Sequence, residues 1–466
     1  MKIIIIGAGR VGSSVAESLV SEANDITVID SDPARIADLQ DRFDLRGVVG
    51  NAALPSVLER AGAADSDMLI AVTAFDETNL VACKVAADLY NIPARIARVR
   101  NVELQKHPKL IGDEGFRATH VIFPEQTVTD YVLKLIEFPE ALQVLEFADG
   151  RASLIAIRAF AGGPLVSHPV KELRRHLPNV DARIVAIFRE DASVRVDGDT
   201  MVQPGDEVFF LADSRSIRMV MSELRSMDKP VRRVMIAGGG NIGLRVARSL
   251  DTGEGLDTPE TFNVKIIETN KRRAEFLAYQ LSTNVLVLNG DGTDEDLLQQ
   301  EGVNEVDLFL SLTNEDENNI MSALLAKRMG ARRVIALINR KSYGDLMQGG
   351  QIDIAISPSY ATLSALLKFV RRGDVVSAHS LRRGAAEALE IIAHGDSRTS
   401  RIIGKSIDQI ELPRGVTIGG LVRGSKVLMA HHDTVIESED HLIVFVENKR
   451  LIQRVERLFT VGVGFF

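Results

Sequence analysis

The sequence predicts an α/β protein in which two doubly wound parallel-sheet domains are each followed by a small α+β module. Three observations predict this architecture. The chain repeats itself, a glycine-rich loop follows the first apolar strand of each repeat, and short β-branched runs alternate with helical patterns. Continuous apolar strands between helices are typical of parallel sheets that are covered on both faces. The 466 residues leave room for several such domains.

The duplication begins at the N-terminus. KIIIIGAGRVGSSVAESL, from Lys2, matches RVMIAGGGNIGLRVARSL, from Arg233, at an offset of 231. The offset then grows to 240, because the second copy contains an insertion within Asp251–Glu260, a Gly- and Asp-rich stretch that predicts a surface loop. GNAALPSVLERAGAADSDMLIAVT, from Gly50, matches GDGTDEDLLQQEGVNEVDLFLSLT, from Gly290. A repeat of this length indicates two copies of one domain.

A second kind of module follows each copy. MVQPGDEVFFLADSRSIRMVMSEL, from Met201, is similar to TVIESEDHLIVFVENKRLIQRVERL, from Thr434. We therefore predict doubly wound domains at residues 1–125 and 231–357, and small α+β modules at 138–228 and 375–460. The strand candidates of the first doubly wound domain are IIII, DITVID, LRGVVG, DMLIAVT, ARIARV and HVIF.

Composition restricts the class of protein. The chain has 55 Lys and Arg against 64 Asp and Glu, a net charge of −9, which gives no overall attraction to nucleic acid or an anionic bilayer. The single cysteine, Cys83, excludes an intrachain disulfide and a cysteine-rich metal site. Apolar runs are too short for a membrane span or a signal-peptide core, so we expect a cytoplasmic protein.

The first glycine loop, Gly7–Gly12, reads Gly-Ala-Gly-Arg-Val-Gly and lies between an Ile-rich strand and a helical pattern. This is the context of a Rossmann-type dinucleotide site, in which glycines permit the tight turn, approach of the pyrophosphate and close strand–helix packing. Asp30 ends the second strand, where its carboxylate can accept hydrogen bonds from ribose hydroxyls and would repel a 2′-phosphate. This acid alone does not distinguish NAD from ATP or ADP.

The second glycine loop, Gly238–Gly243, reads Gly-Gly-Gly-Asn-Ile-Gly, and Glu268 is its acid. Two loops with the same strand, helix and terminal acid favour nucleotide binding at one or both sites. The alternative is that the glycines serve only strand–helix packing. It applies more to the second loop, because duplicated sites often lose their ligand.

Polar residues also end the fourth strand of each copy, at Thr73-Ala74 and Thr313-Asn314. The carboxyl ends of parallel strands line the ligand crevice, so a hydroxyl here could contact ribose or phosphate. Thr and Asn also favour helix N-caps, and both interpretations stay open.

Two arginines distinguish the copies. Arg10 and Arg98 have Asn241 and Ala336 as their assigned counterparts. Arg98 lies among apolar strand residues and needs an anion, either a nucleotide phosphate or a nearby Asp or Glu. The first site is therefore better suited to a phosphate-rich nucleotide, such as ATP or ADP.

The residues expected of an enzyme are not recognisable. None of the nine histidines occupies equivalent positions in both repeats, and no GxSxG, Walker A or metal-ligand pattern is present. His431-His432 is interpreted as a loop pair and Cys83 as a core residue. We expect no catalytic residues and no metal. A soluble NAD-dependent oxidoreductase and a scaffold with empty sites remain the alternatives.

These residues carry a resemblance to a known family. The order of the domains resembles tandem regulator-of-potassium-conductance (RCK) units, each a Rossmann nucleotide-binding domain with a smaller C-terminal RCK module. The stretches that carry it are MKIIIIGAGRVG, NDITVID, DMLIAVTAFDETNLVAC, RIARVRN, GGGNIG, NIMSALLAKRMGA, IDIAISP and SLRRG. The resemblance covers nearly the whole chain.

The resemblance implies a regulatory subunit of a potassium uptake system. Such a protein would be peripheral on the cytoplasmic face of the inner membrane and dock on a potassium-translocating subunit of the TrkH or TrkG type. It would bind NAD(H) or ATP/ADP, couple nucleotide state to gating, and form homo-oligomeric rings, with a tetramer expected.

The family's binding positions carry over to matching residues of this sequence. In the first unit they are Gly7, Ala8, Gly9, Arg10, Val11, Asp30, Thr73, Ala74 and Arg98. In the second they are Gly238, Gly239, Gly240, Asn241, Ile242, Glu268, Thr313 and Asn314. The chain departs from the family pattern at Ala336 and at Asn51, where the second copy keeps Asp291. Equal use of the two sites is therefore not expected.

Overall fold

The computed structural model describes residues 1–20, 22, 24–190, 192–226, 229–256, 261–340, 342–344, 350–371, 374–381 and 386–460. The described residues pack into two compact units. Unit 1 is drawn from Met1–Ile122, Ala141–Met227 and Thr362–Phe466, and unit 2 from Phe123–Glu140 and Asp228–Ala361. Each unit therefore combines segments that are distant in the sequence.

Unit 1 contains a six-stranded parallel sheet in the order β3-β2-β1-β4-β5-β6. Its strands are β1 Lys2–Ile6, β2 Asp25–Asp30, β3 Arg46–Val49, β4 Met68–Ala71, β5 Ala94–Arg98 and β6 His120–Ile122. The four isoleucines of β1 are buried because helices cover both faces of the sheet. This strand order is that of a doubly wound nucleotide-binding domain, and all six strand candidates are confirmed.

Helices follow or connect the strands of this first sheet. They are α1 Arg10–Val20, α2 Pro33–Arg42, α3 Pro55–Arg60, α4 Asp76–Tyr90, α5 Val102–Gln105, α6 Pro108–Ile111 and α7 Pro124–Glu137. Local signals set their ends: Asp32 caps α2 by accepting from the Ala34 N–H, and α4 stops at Asn91, whose φ of +52° is left-handed.

The first α+β module, also in unit 1, is an antiparallel sheet in the order β10-β9-β11-β8-β7. Its strands are β7 Ala141–Phe147, β8 Ala152–Arg158, β9 Ala182–Arg189, β10 Ala192–Val194 and β11 Glu207–Asp213. Two short helices accompany it, α8 Leu173–His176 and α9 Ile217–Ser222.

Unit 2 contains the second parallel sheet, in the order β14-β13-β12-β15-β16-β17. Its strands are β12 Arg233–Ala237, β13 Asn263–Glu268, β14 Val285–Asn289, β15 Leu308–Ser311, β16 Arg333–Leu337 and β17 Ile354–Ile356. Its helices are α10 Asn241–Thr252, α11 Lys271–Gln280, α12 Glu295–Gln300 and α13 Asp316–Arg328. Helix α7 joins this unit, since Val128 and Val132 share a core with Val246 and Leu250 of α10.

The second α+β module returns to unit 1, with the sheet order β18-β19-β22-β20-β21. Its strands are β18 Val375–Leu381, β19 Ala386–Ile392, β20 Val416–Arg423, β21 Lys426–Met429 and β22 His441–Val446, and its flanking helices are α14 Pro358–Val370 and α15 Ile452–Phe459. Phe209 and Phe445 bring the two antiparallel sheets into one core, with ring centroids 5.9 Å apart.

The predicted fold class is confirmed, because both parallel sheets and both α+β modules are present. Cys83 is fully buried in α4, as predicted. Residues 257–260 of the predicted insertion loop and residues 382–384 of the SLRRG stretch lie outside the described residues. Among the helices that the structure describes, none is both long and apolar enough to cross a membrane.

Candidate nucleotide-binding sites

The first candidate site is built on the tight turn between β1 and α1. Gly7 has a φ of +101°, a left-handed conformation that favours glycine. A Cβ on Gly12 would lie 1.8 Å from the Gly7 carbonyl oxygen, so the third glycine lets α1 start directly against the loop. The first turn of a helix has N–H groups without intrahelical partners, and this end of α1 is therefore suited to a phosphate.

Asp30, at the end of β2, is held by the glycine loop. The Ala8 N–H donates to Asp30 Oδ2 at 2.6 Å, and the Asp32 N–H donates to Oδ1 at 2.9 Å. The Asp30 side chain is 10% exposed. Each carboxylate oxygen has a further lone pair, so Asp30 can still accept a hydrogen bond from a ribose hydroxyl. The structure thus brings the sequence-predicted loop and acid together.

Asn79 of α4 joins the ends of β4 and β5. Its Oδ1 accepts from the Thr73 N–H at 2.9 Å and from the Thr73 hydroxyl at 2.8 Å, and its Nδ2 donates to the Arg98 carbonyl at 2.9 Å. Asn79 is fully buried. The Thr73 hydroxyl therefore has a structural role in this turn, where it also accepts from the Phe75 N–H. Thr73 is not the N-cap of α4, which is Phe75. Sequence reasoning did not place Asn79 in the site, although its recurrence as Asn319 was the available signal.

The second candidate site repeats this geometry in unit 2. Gly238 has a φ of +108°, and a Cβ on Gly243 would lie 2.0 Å from the Gly238 carbonyl oxygen. The Gly239 N–H donates to Glu268 Oε2 at 2.9 Å, and the Asn270 N–H donates to Oε1 at 2.8 Å. Both carboxylates are thus fixed in the same way by backbone donors.

The end of β15 also matches the end of β4. The Thr313 N–H and hydroxyl donate to Asn319 Oδ1 at 2.8 and 2.7 Å. Asn319, like its counterpart in the first copy, is fully buried. The two crevices therefore share one backbone scaffold, and differences between them lie in the side chains that face the ligand space.

The counterpart of Arg98 is Leu337, which corrects the sequence-based assignment to Ala336. Asn319 Nδ2 donates to the Leu337 carbonyl at 2.9 Å, as Asn79 does to the Arg98 carbonyl. The assignment was wrong because the offset between the copies falls by only one residue, from 240 at the start of the fourth helix to 239 at the start of the fifth strand. Leucine is uncharged, so the second copy still has no cationic side chain at the position of Arg98.

The remaining predicted positions differ in exposure. Those exposed at loop and strand ends are Arg10, Ala74, Asn241 and Asn314. The partly exposed ones are Gly9, Arg98, Gly240 and Ile242. Val11 is buried in the core, so only its backbone is available to a ligand. Arg98 is the last residue of β5, at the edge where the crevice opens.

A pair of arginines near the two acids was missed. Arg35 Nη1 lies 3.9 Å from Asp30 Oδ2 in the first copy, and Arg273 Nε donates to the Gly239 carbonyl at 2.8 Å in the second. Each arginine follows its acid by five residues, which was the signal in the repeat. Each guanidinium group thus lies close to the glycine loop or the acid of its candidate crevice.

The second crevice also has a cation of its own. Arg340 Nη1 donates to Glu317 Oε1 and to the Tyr343 hydroxyl, both at 2.7 Å. Glu317 and Tyr343 raise the pKa of the Arg340 guanidinium above its usual value. Arg340 adds a cation to the second copy, so the greater cationic charge of the first site stays a prediction.

The cysteine and the histidine pair singled out in the sequence lie outside the two glycine loops. Burial raises the pKa of the Cys83 thiol to about 12, so it is not a nucleophile at neutral pH. His431 and His432 are exposed in a turn before β22. Within the described ranges, no three His, Cys, Asp or Glu side chains are grouped as metal ligands.

Two family models each match the chain twice. The TrkA-N domain matches residues 3–124 and 234–358, and the TrkA-C domain matches residues 154–225 and 397–460. The chain belongs to the TrkA family. Tandem TrkA-N and TrkA-C domains account for the alternation of parallel and antiparallel sheets described above.

Relatives from several bacteria match over the full length. The Trk system potassium uptake protein TrkA of Vibrio alginolyticus is 52% identical over 98% of both chains. The TrkA protein of Halomonas elongata is 52% identical over 100% of both chains, and that of Haemophilus influenzae is 46% identical over the same share.

Solved structures show the same fold at low identity. The GsuK RCK domain has a TM-score of 0.59 and 16% identity, covering 98% of this chain and 95% of that one. The GsuK channel bound to NAD has a TM-score of 0.59 and 17% identity, covering 98% of this chain and 79% of that one. The fold is that of paired RCK units, as the sequence predicted.

Proposed function

We propose that this TrkA-family chain is the regulatory subunit of a potassium uptake system. It binds NAD(H), or ATP and ADP, in the two glycine-loop crevices and couples nucleotide state to gating of a potassium-translocating membrane subunit of the TrkH or TrkG type. It is peripheral on the cytoplasmic face of the inner membrane, assembles as a homotetramer and catalyses no reaction. The domain boundaries 1–125, 138–228, 231–357 and 375–460 are also part of this proposal.

One observation carries the nucleotide-binding part of the proposal. In both crevices the carboxylate that would accept ribose is fixed by an N–H of the loop that would hold the pyrophosphate, Ala8 to Asp30 and Gly239 to Glu268. Such a contact would preorganise the two halves of the proposed nucleotide pocket. The names of the full-length relatives and of the NAD-bound GsuK channel support the same role.

Equilibrium dialysis of the full chain against NADH, NADPH, ATP and ADP tests this proposal. Asp30→Ala and Glu268→Ala each remove one ribose acceptor, and Asp38→Ala is the matched control. Asp38 is an exposed carboxylate on α2 that pairs with Arg42 at 3.3 Å. We expect each acid variant to lose one ligand per chain and the control to lose none. Ligand recovered chemically converted would favour the oxidoreductase alternative.

The transport part has a separate test. Potassium uptake is measured in cells lacking the endogenous TrkA-type subunit and supplied with each variant. We expect the Asp30→Ala and Glu268→Ala variants to change uptake while reaching the membrane fraction in normal amounts. Uptake that is unchanged by the double variant would refute coupling between nucleotide and transport.

A further inference from the structure

A buried ion cluster lies at the end of α1 that faces away from the glycine loop. Arg371 Nη2 donates to Glu387 Oε1 at 2.7 Å and to Glu22 Oε1 at 3.0 Å, and its Nε donates to Glu387 Oε2 at 3.2 Å. These side chains are 1%, 2% and 4% exposed for Arg371, Glu387 and Glu22. Loss of a partner in so deeply buried a cluster leaves an uncompensated charge, so the cluster is restricted to arrangements in which its charges stay paired.

The cluster joins three distant parts of unit 1. Glu22 follows the end of α1, Arg371 directly follows α14, and Glu387 lies in β19 of the second α+β module. The Glu22 carbonyl also accepts a hydrogen bond from Gln453 of α15. The end of α1 is thus bonded to a helix end, a strand and a helix that all come from the last quarter of the chain.

Helix α1 connects this cluster to the first candidate crevice. It starts at Arg10 in the glycine loop and has 11 residues, which makes it about 16 Å long. It packs against β1 and β2 of the parallel sheet, and a close-packed helix passes a displacement of one end to the other. A shift of the loop on nucleotide binding would therefore displace Glu22 as well.

The other half of the chain lacks this cluster. Helices α7 and α14 both start at a proline, Pro124 and Pro358, and positions in the two helices can be matched from there. Helix α10 is the counterpart of α1, so positions after these helices can be matched in the same way. The residues at those positions are Glu137, Gly253 and Ser153 in place of Arg371, Glu22 and Glu387. The fold therefore does not require the cluster, since its repeat forms without one.

We propose that Glu22, Arg371 and Glu387 form a coupling cluster that transmits the nucleotide state of the first crevice to the second α+β module. Arg371 is the positioning residue, because it alone bonds to both carboxylates. The inference rests on the proposed function, since it needs nucleotide to bind at Gly7–Gly12. Coupling of this kind requires that nucleotide bind two arrangements of the cluster with different affinity.

Hydrogen–deuterium exchange of the full-length protein, with and without NADH, tests the proposal. All proteins carry Glu268→Ala, so that only the first crevice is loaded. The test variant is Glu22→Gln with Arg371→Met and Glu387→Gln, which removes every charge at similar volume and leaves none unpaired. Glu137→Gln, at the position equivalent to Arg371, is the control for loss of a buried charge.

We expect NADH to change the exchange of peptides from β19 and α15 in the parent protein and in the Glu137→Gln control. The triple variant should still bind one NADH and lose this change. The coupling proposal is refuted, and the proposed function is not, if NADH binds the parent protein without changing the exchange of β19 and α15 peptides. It is refuted in the same way if the triple variant keeps this change in exchange. Failure of the parent to bind any nucleotide refutes the proposed function itself, and the coupling with it.

Discussion

Replacement of Asn79 by alanine is the sharpest stability test of the candidate site. The substitution removes the bonds from Thr73 to Asn79 Oδ1 and the bonds from Nδ2 to the Thr73 and Arg98 carbonyls. The Thr73 N–H and the Arg98 carbonyl lose their partners in a partly buried setting. Each such group costs about 1–3 kcal/mol, so the free energy of unfolding should fall by about 2–6 kcal/mol.

Urea unfolding followed by far-UV circular dichroism measures this loss, because the chain has no tryptophan. Asn318→Ala is the matched control, since Asn318 lies on the exposed face of α13. A surface change of this kind should stay within about 0.5 kcal/mol. Asn319→Ala should cost as much as Asn79→Ala, because it makes the same bonds in the second copy.

The Asn79→Ala variant should also bind nucleotide more weakly. The Thr73 backbone packs beside Gly7, so release of the β4 end disturbs the first glycine loop. Asn79→Ala should weaken NADH binding at the first crevice and leave the second unchanged. Equal unfolding midpoints for Asn79→Ala and Asn318→Ala would show that the buried amide is not what holds the strand ends.

Three further predictions concern single groups. Gly12→Ala should abolish binding at the first crevice, because its Cβ would lie 1.8 Å from the Gly7 carbonyl oxygen; retention of two ligands per chain would contradict this. Burial raises the pKa of Glu387 from 4.5 to about 7, so its stabilising contribution is present at acid pH and lost as the pH rises towards 7. Glu387→Gln should therefore reduce the fall in the free energy of unfolding between pH 5 and pH 7, and an unchanged pH dependence would refute this. The Cys83 thiol should resist thiol reagents at pH 8 until the chain is unfolded, and native reaction at the unfolded rate would be inconsistent with its burial.

The sequence was sufficient for features that local chemistry determines. The strands around Gly7 and Gly238 were predictable because apolar runs alternate with glycine turns and helical patterns. Asp30 and Glu268 were predictable because a Rossmann sheet places the end of its second strand beside the glycine loop. The duplication strengthened each prediction, since the same pattern had to hold twice.

Other features depend on tertiary contacts, which the spacing of residues in the sequence does not predict. Arg98 was aligned with Ala336 because a one-residue shortening leaves no mark in so short a strand. Helix α7 follows the first sheet in sequence but packs with α10 of unit 2. Arg371 contacts Glu22 across 349 residues, and no repeat of the pair exists to reveal it.

That separation also determines when unit 1 is able to form during synthesis. Ribosomes add about 5–20 residues per second, so Arg371 emerges roughly 20–70 s after Glu22, which lies 349 residues earlier. During this interval the end of α1 has neither Arg371 nor the Gln453 side chain that bonds to the Glu22 carbonyl. Phe209 of the first α+β module likewise waits for Phe445, with which it shares a core. The nascent first module therefore exposes apolar surface until translation is almost complete, and its folding yield should depend on chaperones that shield it on the ribosome.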